Sequence, residues 1–411
     1  MSAAPRTGLT LVALGLALVV YAAFSQFKLP VVLPVMLDTY GYGRVLAGGF
    51  MSIFAVFGIL LSVPIGRLVA RRGALRLVMA ALPLMGLGTA VCLLAPESGT
   101  VMLVGRGLEG AAFATLAVAG PALATANAAP QHRALVIGLI AAWMPSGQLI
   151  ATLLGPLALH TTGWRGLWWV GLLLAALLAA WTFVMLRSGP RGTTRRAGDG
   201  AAPAAAWTGT QWLSLLLTGG AFMLWSGQYL AYMTWLPAYL VEEQGLAVDS
   251  ALYGYLIPVV LVGVFNIATG ILLQRGRKPQ HLLFGAVVIQ AGIWWLLPVT
   301  GSGASGIVSL VVYGVTSGIA PTCLFALSAH LVANPNETAR AFGVTMTGRN
   351  LGVLGGPLLL ALAVELSGGW LAGSLLFAGL TTLAVAVCGL LLVIVPRVEA
   401  QQRHPATGAA G

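Results

Sequence analysis

Lys28, Arg106 and Arg349 each stand inside an apolar stretch long enough to cross a bilayer, and Glu109 follows Arg106 by three residues. A charge at bilayer depth costs roughly 2.5–3.5 kcal/mol on insertion scales. Three cations kept there imply a wet path and something negative to meet them. The chemistry on offer is ion pairing and proton exchange. A cation can hold a carboxylate, and a buried carboxyl can take up and release a proton. Arg106 and Glu109 share one helical face, so the pair neutralises itself; structural pairing and a proton-coupling role are equally open for it. Glu109 is the best proton carrier in the chain, because Asp38 and Glu365 lie near the ends of their spans.

Lys28 stands about ten residues from the end of its stretch, or about 15 Å at the helical rise. That is far for a lysine stem to snorkel. Pro30 and Pro34 flank it and withdraw two backbone donors, which frees carbonyls. Contact with a substrate or a proton is the expected role. Arg349, with Asn350 beside it, has no acid within a turn, so its counter-charge is expected from another helix or from a ligand. Gln228, Tyr232 and Trp235 are spaced four and three apart and share a face; with Tyr229 they offer a flat wall with polar tips. An aromatic belt at the membrane interface is the bland alternative. The substrate-binding candidates are therefore Lys28, Gln228, Tyr229, Tyr232, Arg349 and Asn350.

These residues need long apolar elements to hold them. The chain has 411 residues, 58% hydrophobic and 8% charged, against about 25% charged in soluble domains. A bilayer-embedded chain is the consequence. Twelve spans are expected, at 9–36, 45–68, 75–95, 100–125, 134–159, 165–186, 211–240, 250–273, 281–299, 305–332, 340–366 and 371–395. Twelve spans put both termini on one side. Sixteen of the 21 basic residues fall on that side and two, Arg44 and Arg165, on the other. Positive charge marks the cytoplasmic face, so both termini are expected in the cytoplasm of a bacterial inner-membrane protein. The strongly basic balance thus signals topology and not nucleic acid.

Residues 187–210, rich in Gly, Pro, Ala and Arg, read as a linker between halves 1–186 and 211–411. The halves repeat at an offset of about 205 residues. Leu33-Pro34 matches Leu236-Pro237, and Gly66–Gly73 matches Gly270–Gly276. Gly138 and Gly147 match Gly343 and Gly352; Gly155-Pro156 matches Gly356-Pro357, and Gly163-Trp164 matches Gly369-Trp370. Two six-helix halves around a central cavity form the architecture of alternating access.

Over 9–396 the chain resembles the major facilitator superfamily. The loop motif of that family appears as Gly66-Arg67-Leu68-Val69-Ala70-Arg71-Arg72-Gly73-Ala74-Leu75-Arg76, with Ala70 in place of the family's Asp. Its Arg-x-x-x-Gly appears as Arg106 to Gly110. Its Gly-x8-Gly-x3-Gly-Pro pattern is irregular at Gly138, Gly147 and Gly155, and regular at Gly343, Gly352 and Gly356-Pro357. Trp143-Met144-Pro145 and Trp164-Arg165-Gly166 look similar to the cyanate-permease-like branch, which handles small anions and some drugs. The resemblance implies an all-α membrane protein and a monomer. It also implies a conformational loop at Gly66, Arg71, Arg72 and Gly73, whose latch lacks its acid.

The expected function is transport of a small, anionic organic solute together with protons. Efflux of amphipathic drugs is the alternative. No HExxH, paired-carboxylate or phosphate-binding pattern is present, so no enzyme activity, metal or cofactor is expected. The partners expected are the solute, the proton and lipid.

Overall fold

The computed structural model describes residues 7–188, 207–332 and 335–403. Among these residues there are thirteen α-helices, two single 3-10 turns and no strand. The first six are α1 (Leu9–Tyr40), α2 (Arg44–Arg72), α3 (Ala74–Leu94), α4 (Gly99–Ala126), α5 (Arg133–Ala141) and α6 (Trp143–Thr161). Then follow α7 (Arg165–Ser188), α8 (Gly209–Glu242), α9 (Val248–Gln274) and α10 (Pro279–Leu296). The last three are α11 (Ala304–His330), α12 (Pro335–Ser367) and α13 (Trp370–Arg403).

The expected span at 134–159 is two helices. Pro145 has no N–H for the Ala141 carbonyl and its ring crowds that turn. The helix breaks at Ala142, whose N–H turns back to the Leu139 carbonyl at 3.2 Å. Of the other expected spans, 281–299 forms a helix closed by a 3-10 turn at Leu297–Val299, and each of the rest forms one helix. Among the described residues, ten helices are long and apolar enough to cross a membrane. The two expected spans outside that set are this broken one and α8. The 34-residue α8 is long enough but carries Ser214, Thr218, Ser226, Gln228 and Thr234 along its length.

Contacts divide the chain into two compact units. The first is Met1–Ala197 with Met233–Val259, and the second is Gly198–Tyr232 with Val260–Gly411. The expected linker falls mainly on 189–206, outside the described residues. The first unit also takes in 233–259, the end of α8 and the start of α9. Arg44 donates to Glu242 at 2.6 Å and Gln148 to the Tyr255 hydroxyl at 2.7 Å, while His160 sits 3.0 Å from Asp249.

In the first unit α1 is central, and every residue from 21 to 34 is buried. A helix that is apolar over most of its surface can be enclosed this way, and its buried Lys28 is paired within the protein. Small residues bring the neighbours close. A Cβ on Gly88 would lie 2.6 Å from the Gly105 carbonyl, which lets α3 and α4 meet backbone to backbone. Gly147 sets α6 against Ala23 and Phe24 of α1 in the same way. In the second unit, Gly352 and Gly356 of α12 press on Met223, Ser226 and Gly227 of α8. The matched glycines Gly147 and Gly352 therefore do one job, each bringing its helix against the first helix of its half.

Candidate functional site

Pro30 creates the first feature of the site. It has no N–H, so the Gln26 carbonyl loses its helical partner. Arg106, from α4, supplies one: its Nη2 donates to Gln26 O at 3.1 Å. The same guanidinium donates through Nη1 to Ser25 O at 2.8 Å and through Nε to Phe50 O of α2 at 3.1 Å. Its plane lies over the Phe54 ring at 4.4 Å. Arg106 thus ties α1, α2 and α4 together at a point with no exposed surface.

One turn on, Glu109 receives three donors. Arg106 Nη1 reaches Oε2 at 2.6 Å. Lys28 Nζ and the Thr89 hydroxyl of α3 both reach Oε1 at 2.6 Å. Lys28, Arg106 and Glu109 are fully buried. The Lys28 ammonium also sits 4.5 Å from the centre of the Trp168 ring of α7. Beside it Tyr21 donates to the Gly171 carbonyl at 3.0 Å. Ionised, the cluster has two positive groups and one negative, a net charge of +1.

The structure places Lys28 against Glu109, which it shares with Arg106, inside the bundle of α1, α3, α4 and α7. The i, i+3 spacing showed the Arg106–Glu109 pair. The Lys28–Glu109 pair joins residues 81 apart, and it depends on how α1 and α4 are set against each other.

The second unit holds a neutral counterpart. Gln228 Oε1 accepts from Trp294 Nε1 at 2.9 Å and from the Tyr313 hydroxyl at 2.8 Å. Gln228 Nε2 donates to Gln290 Oε1 at 3.3 Å, and Gln290 Nε2 to the Ser317 hydroxyl at 2.9 Å. Tyr232 stacks on Tyr313 with centroids 3.8 Å apart and meets Trp294 edge-on. These contacts bind α8 to α10 and α11, because a buried amide satisfies its donors and acceptors where it can. Trp294, Tyr313, Gln290 and Ser317 complete a network whose members sequence spacing could not connect.

Arg349 and Asn350 lie elsewhere on the unit. Both are half-buried on α12, and Arg349 Nη1 donates to Asn350 Oδ1 at 3.1 Å. Ser226 of α8 donates to the Arg349 carbonyl at 2.8 Å. Tyr229 lies within electrostatic range of the guanidinium and stacks on Trp225, with centroids 5.0 Å apart. The arrangement offers a cation, an amide and a phenol, groups that together recognise a carboxylate.

At the end of α2, Arg71 and Arg72 are exposed in the last turn, where they complement the helix dipole. Gly73 ends the helix with φ +84°, a conformation that side chains rarely adopt. Gly66 faces open space.

Residues 14–357 match the Major Facilitator Superfamily. The chain belongs to that superfamily, whose members are membrane transporters. An uncharacterised transporter of Escherichia coli, YgaY, is 32% identical over 122 residues, or 30% of each chain. The alignment thus spans about 30% of the length of the curated relatives it matches. Two solved structures share the fold at low identity. The human organic anion transporter MFSD10 has a TM-score of 0.69 at 15% identity, covering 92% of this chain and 99% of its own. A bacterial homologue of the human lysosomal transporter Spinster has a TM-score of 0.68 at 17% identity, covering 95% and 96%.

Proposed function

We propose that the protein is a secondary transporter that moves a small anionic organic solute by alternating access, together with protons. The observation that carries this reading is the buried Lys28–Glu109–Arg106 cluster. It keeps exchangeable protons where bulk solvent does not reach. Arg349, Asn350 and Tyr229 form the solute site in this reading. Trp143-Met144-Pro145 and Trp164-Arg165-Gly166, similar to the cyanate-permease-like branch, support an anion. The orientation follows from the basic residues, sixteen against two, with both termini cytoplasmic and the chain a monomer in a bacterial inner membrane. Residues 1–186 and 211–411 are the two moving halves, with the basic turn at Arg71 and Arg72 on their cytoplasmic side.

A thermal-shift screen of small carboxylic acids on purified protein, followed by uptake into proteoliposomes, tests the reading. A stabilising acid should lose its effect in Arg349→Ala, and an inward proton gradient should accelerate its uptake. Unchanged affinity in Arg349→Ala and Asn350→Ala would remove the anion site. The stacked Trp225 and Tyr229 support a second reading, outward transport of flat amphipathic compounds. Resistance conferred on a pump-deficient host, with no acid bound, would select it.

A further inference from the structure

We propose that the proton carried by the buried cluster is bound and released at Lys28, while Glu109 stays ionised throughout. The inference rests on the proton-coupled reading and names the group that performs it.

A guanidinium does not release its proton within a protein. Only Lys28 and Glu109 can therefore change state. Protonating Glu109 would turn the cluster from +1 to +2, leaving two cations facing each other with no exposed surface. Releasing the proton of Lys28 turns +1 into zero and keeps the Glu109–Arg106 ion pair whole. The cost of holding net charge away from water rises steeply with that charge, so the cluster alternates between +1 and zero.

The hydrogen bonds agree. Glu109 accepts from Lys28, Thr89 and Arg106, all bonds that favour the ionised carboxylate. Four guanidinium contacts hold Arg106. The Lys28 ammonium has three hydrogens, yet one oxygen, Glu109 Oε1, accepts from it among the described residues, and a second side of it rests on Trp168. On release the proton passes to water and the electron pair stays on Nζ. The remaining amine still donates to Glu109, so no bond in the cluster breaks.

The groups facing Lys28 allow this. From α3 come Thr89 and Cys92, from α4 Arg106 and Glu109, from α7 Trp168, and from α1 itself Tyr21. α2 contributes Phe54 and the Phe50 carbonyl to Arg106, and α6 meets α1 through Gly147. Glu109 is the one carboxylate among them.

The chain has two lysines, Lys28 and the exposed Lys278. Lysine labelled with 13C and 15N in the purified, full-length protein therefore gives two side-chain signals, and Lys278 serves as the reference. An exposed lysine keeps its ammonium until about pH 10. The expected result is an amine signal for Lys28 at a pH where Lys278 still gives its ammonium signal. Infrared difference spectra over the same range should contain no protonated-carboxyl band that disappears in Glu109→Gln. A Lys28 signal that stays with that of Lys278, or a carboxyl band that Glu109→Gln abolishes, would overturn the assignment. The titration needs no solute. Lys28 can titrate in a protein whose transport proves uncoupled from protons, and coupled transport can coexist with a silent Lys28, so the two readings fail separately.

Discussion

Arg106 donates to the Gln26 carbonyl that Pro30 deprives of a backbone partner. A proline in the first span and an arginine in the fourth thus complete one another, and the bond anchors the guanidinium that holds Glu109. Pro30→Ala restores a competing N–H. An interior proline costs about 3 kcal/mol relative to alanine, so the variant should melt at the same or a higher temperature in detergent. Its proton-driven uptake should fall, because Arg106 loses one of its fixed acceptors. A lower melting temperature would show that Pro30 contributes packing that the arginine bond does not explain.

The three charges should differ in what they contribute to stability. Lys28→Met leaves the Glu109–Arg106 pair intact and should melt close to the parent. Glu109→Gln strands two buried cations, and removing one member of a buried pair costs about 3–5 kcal/mol. Arg106→Met strands the Gln26 carbonyl but leaves Glu109 with Lys28 and Thr89, and should be less damaging than Glu109→Gln. Adding Lys28→Met to Glu109→Gln should recover part of the loss. Equal melting temperatures across the set would contradict the cluster.

The repeat glycines should separate into two classes. Gly147→Ala and Gly352→Ala drive a methyl into the backbone of α1 and α8, a crowding that costs about 1–3 kcal/mol. Gly138→Ala and Gly343→Ala meet nothing within 4 Å and should gain about 0.5–1 kcal/mol from helix propensity. Melting curves of the four single variants decide it, and a uniform response would show that the repeat has no packing role.

Gln228→Leu should destabilise without touching the solute. It leaves Trp294 Nε1 unbonded, at about 1–3 kcal/mol, and takes from the Tyr313 hydroxyl one of its two partners, Ser317 being the other. Arg349→Ala should do the reverse, with a small change in melting temperature and at least a tenfold loss of affinity for the bound acid, equivalent to about 1.4 kcal/mol.

The helices were readable from the sequence because apolar length and turn residues determine them. The intramembrane charges were equally plain, since Lys28, Arg106, Glu109 and Arg349 interrupt long apolar runs. The Arg106–Glu109 pair needed only helical spacing. What the sequence could not give was the partner across helices. Lys28 reaches Glu109, and Gln228 reaches Trp294 and Tyr313, only through the azimuth and register at which helices pack. The break at Ala142 was within reach, because Pro145 stood inside an expected span.

Proton movement in weakly buffered proteoliposomes tests the central claim most directly. Once an acid is found that binds the parent protein, it is added outside and the external pH is followed. The account predicts that entry of the acid makes the outside more alkaline in the parent, and that Lys28→Met admits the acid with no pH change. Entry of the acid without proton movement in the parent, or unchanged proton movement in Lys28→Met, would contradict it.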